Sequence, residues 1–273
     1  DMGEDEPDPG LRPAHFMQGG RAAMPYETIT CETGAGAARI TMNRPEAMNA
    51  ITPAMLAEMK AAVLDAGRDA GVRVIVITGA GRAFCAGVDL KALGGRKIEN
   101  GTVVDILDVP ARGLIDAIRA VPVPVIALVN GFCFTGALEL VLACDMAIAA
   151  EEAKLGDTHA RWGLRPTWGM SARLPRRVGF NRARELSFTA GSISGREAER
   201  IGLVNRAVPA DKLEEALRAV VDAIIANSAG SIAAYKSLYN AGESLSLDGS
   251  LMLEFGTGFT ISDTGERLSQ FRK

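Results

Sequence analysis

The tightest constraint on this chain lies at residues 130–139, Asn-Gly-Phe-Cys-Phe-Thr-Gly-Ala-Leu-Glu. There an apolar run passes through glycines into a helical stretch that carries a carboxylate one turn inside. The preceding residues Val123, Val125, Ile126, Ala127, Leu128 and Val129 are mostly β-branched and have prolines around their start, which reads as a buried strand. The helix after it begins near Gly136. The first amides of a helix have no intrahelical partner and sit at the positive end of its dipole, so they suit an oxygen on which negative charge grows. Glu139 follows Gly136 by three residues, close to one turn, so its carboxylate shares a face with that amide. Taken alone, Gly-x-x-Glu also fits a plain core helix with a satisfied polar residue.

A second segment repeats the pattern. Arg73 to Thr78 is another β-branched strand, and it runs into Gly79-Ala80-Gly81-Arg82-Ala83-Phe84-Cys85-Ala86-Gly87-Val88-Asp89-Leu90. Both segments go from a strand through a glycine-containing turn with Phe-Cys to a small residue and a glycine. Two parallel strands with like turns at the same end bring two backbone donors together, one near Val88 and one at Gly136. Converging amides of this kind make an oxyanion hole.

Three motifs now stand in order: Asn43-Arg44-Pro45-Glu46-Ala47-Met48-Asn49-Ala50-Ile51, the Arg82-to-Leu90 turn, and Asn130 to Glu139 running on to Cys144-Asp145. Together they resemble the enoyl-CoA hydratase/isomerase, or crotonase, family over roughly residues 25–271. The resemblance implies an α/β fold built as a spiral of repeated ββα units, with a C-terminal helical region that builds trimers, commonly paired into hexamers. It also implies an acyl-CoA thioester substrate, with coenzyme A as part of that substrate and no separate cofactor or metal. Val88 and Gly136 match the residues whose amides hold the thioester oxygen, and Glu139 matches the first catalytic glutamate of hydratases. Met48 and Ala50, with Ala86, Asp89, Leu90 and Lys91, match backbone that lines the adenine and pantetheine. Lys91 and Arg82 are candidates for the phosphates. Trp162 and Trp168 follow in a region that borders the acyl pocket.

One position departs from the family pattern. The second hydratase glutamate falls twenty residues after Glu139, where this chain has His159. Hydration needs a base that activates water for attack at C3 and an acid that protonates C2. A histidine, with an unperturbed pKa of about 6.5, suits proton transfer near neutrality. The expected reaction is therefore addition of water across a 2-enoyl-CoA double bond, with Glu139 and His159 as the acid/base pair. Double-bond isomerisation, thioester hydrolysis, decarboxylation and a CoA-binding role without catalysis remain open alternatives.

Composition narrows the class. The 273 residues are 48% hydrophobic with a net charge of −3, enough for a full core and without the basic bias of a nucleic-acid binder. No apolar run reaches membrane-spanning length, and four cysteines, three of them in apolar surroundings, suggest a reduced, cytoplasmic protein. No His/Cys/Asp spacing suggests a metal site. Residues 1–24 are acidic and rich in Pro and Gly, which reads as a disordered arm or an added extension. The spiral core is expected over 25–205 and the helical oligomerisation region over 206–273. Within the core, strands are expected at Glu27–Cys31, Ala38–Met42 and Met146–Ala149, and a helix over Pro53–Ala66. From Asp211 on, Leu213, Ala216, Leu217, Val220, Val221, Ile224 and Ile225 form a broad apolar helical stripe.

Overall fold

The structure, a computed structural model, describes residues 26–93, 100–102 and 104–271. The arm expected over 1–24 lies outside the described residues. The first hairpin is β1 (Ile29–Gly34) and β2 (Ala37–Met42), followed by helix α1 (Pro53–Arg68) and then β3 (Val74–Gly79) and β4 (Ala83–Cys85). Helix α2 (Val109–Ala120) leads to β5 (Val125–Val129), β6 (Phe132–Phe134) and α3 (Gly136–Ala143). Next come β7 (Met146–Ala150), β8 (Lys154–Gly156), α4 (Met170–Val178) and α5 (Phe180–Thr189). The chain continues through β9 (Ile193–Ser194), α6 (Gly195–Arg200) and β10 (Arg206–Val208). It finishes in α7 (Leu213–Ile225), α8 (Ala229–Gly242), α9 (Leu247–Gly256) and α10 (Thr264–Phe271).

The strands form two sheets, in orders β1-β2-β3-β5-β7-β10 and β4-β6-β8-β9. Each turn of the chain gives one strand to the large sheet and the next to the small one, as in β3 to β4, β5 to β6 and β7 to β8. Apart from the β1–β2 hairpin and the short β8–β9 pair, the strand pairs are parallel. Parallel strands must be covered on both faces, and β3 and β5 are buried at every residue, as their β-branched composition requires. This is the expected spiral of ββα units.

The first strand begins later than expected. Glu27 and Thr28 donate their backbone N–H groups to the Glu58 carboxylate of α1, at 2.9 Å each, so the ladder starts only at Ile29. Helix α1 opens with Thr52 accepting from Met55 N at 3.1 Å and Pro53 at its first position, where a missing N–H costs nothing. It buries Met55, Leu56, Met59 and Val63 against the sheet and α2, each worth roughly 1.5–3 kcal/mol of hydrophobic transfer.

The expected boundary at 205/206 cuts through the large sheet, because β10 pairs in parallel with β7. Helix α7 buries Leu213, Leu217 and Val221 on the parent core. Among the described residues no single helix is long and apolar enough to cross a membrane.

Candidate active site

Three loops carry the site, and two asparagine side chains hold them together. Asn49, fully buried, donates its side-chain amide to the carbonyls of Ala80 and Ala83 at 2.9 and 2.8 Å. Asn130 likewise donates to Gly79 and Gly81, both at 2.9 Å. The β3–β4 and β5–β6 turns are thus fastened to each other, and Gly131 sits where a Cβ would lie 2.0 Å from the Arg82 carbonyl oxygen. Only glycine allows that approach.

Val88 forms an isolated parallel bridge with Ile51, in which Ile51 N donates to Gly87 O at 2.8 Å and Asp89 N donates to Ile51 O at 2.9 Å. In such a bridge the middle residue's own N–H points away from its partner. Gly136 opens α3, so its N–H has no acceptor within the helix. Among the described residues none accepts either amide. Thr135, just before, is held at φ +55 and ψ −114, a sparsely populated conformation for a residue with a side chain. Its N–H donates to Gly156 O at 3.0 Å, and its hydroxyl lies 2.5 Å from that of Thr158, which fixes the entry into α3.

A cavity of about 480 Å³ opens beside these amides. Of the residues singled out in the sequence, Met48, Ala86, Val88, Leu90, Gly136 and Glu139 line it, as do His159, Trp162, Trp168 and Arg82. Trp162 is largely exposed at its edge, while Trp168 is buried. Ala50, Asp89 and Lys91 lie outside the lining. Arg44 binds the first two, donating to the Ala50 carbonyl at 2.7 Å and to the Asp89 carboxylate at 3.0 Å, so it braces the turn that presents Val88. Lys91 is exposed, and its backbone N–H meets Asp89 Oδ1 at 3.1 Å.

Glu139 is 1% exposed. Its Oε1 accepts from the backbone N–H groups of Trp168 and Met170 at 3.0 and 2.9 Å, the latter at the start of α4. Oε2 stands 3.6 Å from His159 Nε2. Burial pushes the Glu139 carboxyl above the usual carboxylate range; the N–H groups and His159 offset part of that rise, and the charge on Asp157 adds to it. On its other side, His159 Nδ1 lies 2.6 Å from Asp157 Oδ1. Neither Asp157 nor Ser187, whose hydroxyl donates to Asp157 Oδ2 at 2.6 Å, belongs to a motif of the sequence. Asp-x-His in a loop has no periodicity to mark it, and only the fold shows that both residues are buried.

Asp108 was also missed. It lines the cavity, and its Oδ1 accepts from Trp168 Nε1 at 2.7 Å and Thr167 Oγ1 at 2.8 Å, which fixes the indole. Among the described residues no three His, Cys, Asp or Glu side chains group as a metal site.

The enoyl-CoA hydratase/isomerase family profile matches residues 32–257. The chain belongs to the enoyl-CoA hydratase/isomerase family. A probable peroxisomal enoyl-CoA hydratase from Arabidopsis thaliana is 38% identical over 238 residues, 87% of each chain. An enoyl-CoA hydratase structure from Bacillus anthracis superposes with a TM-score of 0.82 at 33% identity, covering 90% of this chain and 96% of that one. A monofunctional enoyl-CoA isomerase structure from M. smegmatis superposes with a TM-score of 0.71, also at 33% identity, covering 82% and 98%. The protein is thus an enzyme of the crotonase type, and relatives of both reaction classes share its fold.

Proposed function

We propose that this enzyme adds water across the double bond of a 2-enoyl-CoA thioester, with Glu139 and His159 as the acid/base pair. The observation that carries the reading is the 3.6 Å separation of Glu139 Oε2 and His159 Nε2 on the wall of a cavity that Val88 and Gly136 also line. The two amides would hold the thioester oxygen, draw electron density from C3 and stabilise the enolate formed when water adds there. Donors fixed before the reaction need no reorganisation as that charge develops.

A water molecule roughly 2.8 Å from both would accept from the Oε2 hydroxyl and donate to Nε2, with one lone pair free to face C3. His159 Nε2 takes one proton from it as the oxygen bonds to C3. The Glu139 carboxyl, favoured in its protonated form by burial, delivers a proton to C2 as the enolate collapses. The pair is left as imidazolium and carboxylate, and transfer of the proton from Nε2 to Oε2 restores the starting state. Atoms balance: water supplies the C3 hydroxyl and, through the pair, the C2 hydrogen.

Coenzyme A enters as the carrier half of the substrate. Its pantetheine would run along Met48, Ala86 and Leu90, with Ala50, Asp89 and Lys91 toward the adenine end and Trp162 at the acyl mouth. Lys91 and Arg82 would meet phosphates at the open side. Four free cysteines fit a reducing compartment such as the cytoplasm. Leu247, Met252 and Phe255 of α9 are exposed, an apolar surface that suits a homotrimer or a pair of trimers.

Incubation with crotonyl-CoA in heavy-oxygen water tests the reaction. Hydroxyacyl-CoA carrying the label is expected. A shifted double bond without label would make the enzyme an isomerase, and binding without turnover would remove catalysis.

A further inference from the structure

We infer that Asp157, held in turn by Ser187, is a positioning residue that fixes His159 in the tautomer whose Nε2 accepts a proton from the cavity. The inference rests on the reading of His159 as a base, but its structural half stands apart from any activity.

Asp157 is 3% exposed, and both of its carboxylate oxygens are engaged. Oδ1 faces His159 Nδ1 at 2.6 Å and accepts from the His159 backbone N–H at 3.3 Å, while Oδ2 accepts from Ser187 Oγ at 2.6 Å. Burial opposes its ionisation, but the hydrogen bonds from His159 and Ser187 outweigh burial and hold the carboxyl below its usual range. An ionised carboxylate only accepts hydrogen bonds, so Nδ1 carries the ring proton. With Nδ1 carrying the proton, Nε2 is the ring nitrogen that faces Glu139 and the cavity as the acceptor. A carboxylate behind an imidazole also stabilises the imidazolium formed when Nε2 takes up a proton.

The two clamps come from adjacent helices. Met170 N, at the start of α4, fixes Oε1 of Glu139, and Ser187, near the end of α5, fixes Asp157 and through it His159. The α4–α5 pair therefore sets the spacing between the two groups that exchange protons. Where a second carboxylate would face the cavity directly, this chain places an imidazole at the surface and the carboxylate behind it.

The test is nitrogen-15 imidazole NMR of the full chain, in which His15 and His159 are the only histidines, together with steady-state kinetics on crotonyl-CoA. In the wild type the His159 proton is expected on Nδ1. In Asp157→Asn the amide can donate to Nδ1, so the proton should move to Nε2. In that variant kcat should fall by on the order of 10²- to 10⁴-fold with KM little changed. Ser187→Ala, which keeps the carboxylate, should retain the Nδ1 tautomer and lower kcat about three- to ten-fold. A wild-type proton on Nε2, an unmoved proton in Asp157→Asn or an unchanged kcat in both variants would overturn the inference. A wild type with the Nδ1 tautomer and the Asp157→Asn switch, but with no hydration of any enoyl-CoA, would uphold Asp157 in its place and refute the hydratase reading instead.

Discussion

Gly136 lies directly beneath the indole of Trp168: a Cβ at position 136 would stand 2.6 Å from Trp168 Cζ3. The ring has little freedom to retreat. Its Nε1 donates to Asp108 and its backbone N–H to Glu139, so the side chain is held at its edge and its main chain is tied to the candidate acid. Gly136→Ala must therefore shift either the start of α3, with its amide, or the Trp168–Glu139 contact. Loss of one oxyanion donor typically costs about 10² to 10³ in rate, and a fall of that order in kcat is expected with CoA affinity retained. Stopped-assay kinetics and the Trp fluorescence spectrum together measure it; an unchanged kcat would mean that this amide takes no part.

Glu139→Gln preserves an oxygen for the Trp168 and Met170 N–H groups but removes the exchangeable proton. Turnover should disappear while CoA still binds. Stability gives an independent readout. Because burial raises the Glu139 carboxyl in the folded state, its contribution to stability is full below the unfolded value of about 4.3 and is lost as pH rises through the higher folded value. Above that range the wild type carries a buried charge that the variant lacks. The Tm of the variant relative to wild type should therefore climb as pH goes from acid to neutral, measured by thermal melts across a pH series. A gap that narrows over this range would contradict the assignment of a raised carboxyl.

His159→Glu restores a carboxylate to the position where hydratases of the family carry one, yet the structure argues against a gain. The new side chain would stand beside the buried Asp157 carboxyl, which loses the His159 ring that lowers it, and opposite Glu139. Like charges this close oppose one another's ionisation. The single variant should be slower than wild type by at least about ten-fold. The double variant Asp157→Ser/His159→Glu should recover part of that loss in crotonyl-CoA hydration. Equal rates for the single and double variants would show that Asp157 exerts no such field.

The difference between what the chain reveals in sequence and in space falls along the length of its signals. The β3 and β5 strands and the Gly136–Glu139 turn were legible because fully buried parallel strands leave unbroken β-branched runs and because glycine marks a turn that only it can make. The α7 stripe was legible from its helical spacing. Helices α4 and α5 were not: α4 contains Pro175 and three arginines and buries only Met170 and Leu174, and α5 buries only Ala183 and Leu186. Each is short, with two buried side chains on an otherwise polar surface, too few to establish a period. That omission hid the site's outer layer, since Met170 and Ser187 come from those helices. His159 stood out by its position, whereas Asp157 acquires meaning only once the loop after β8 folds back on α5. Asp145, by contrast, was visible only as the end of a motif, and its partner lies far along the chain.

That partner is Lys236 of α8, and the pair ties the C-terminal helices to the spiral. Lys236 is 7% exposed; its ammonium donates to the carbonyls of Ile118 and Val123 at 2.8 and 2.9 Å and to Asp145 Oδ2 at 2.8 Å. Asp145 Oδ2 in turn accepts from Val125 N at 2.7 Å, at the start of β5. Lys236→Met leaves two carbonyls and a partly exposed carboxylate without their ammonium partner, which costs about 2 kcal/mol and should lower Tm by roughly 6 °C in calorimetry. Removing both charges with Asp145→Leu/Lys236→Met should not return the wild-type Tm, because Val125 N then loses its acceptor at the root of the strand that leads into the active-site turn. A fully restored Tm would show that the backbone bond contributes nothing and that the cost of the single variant is purely the unpaired charge.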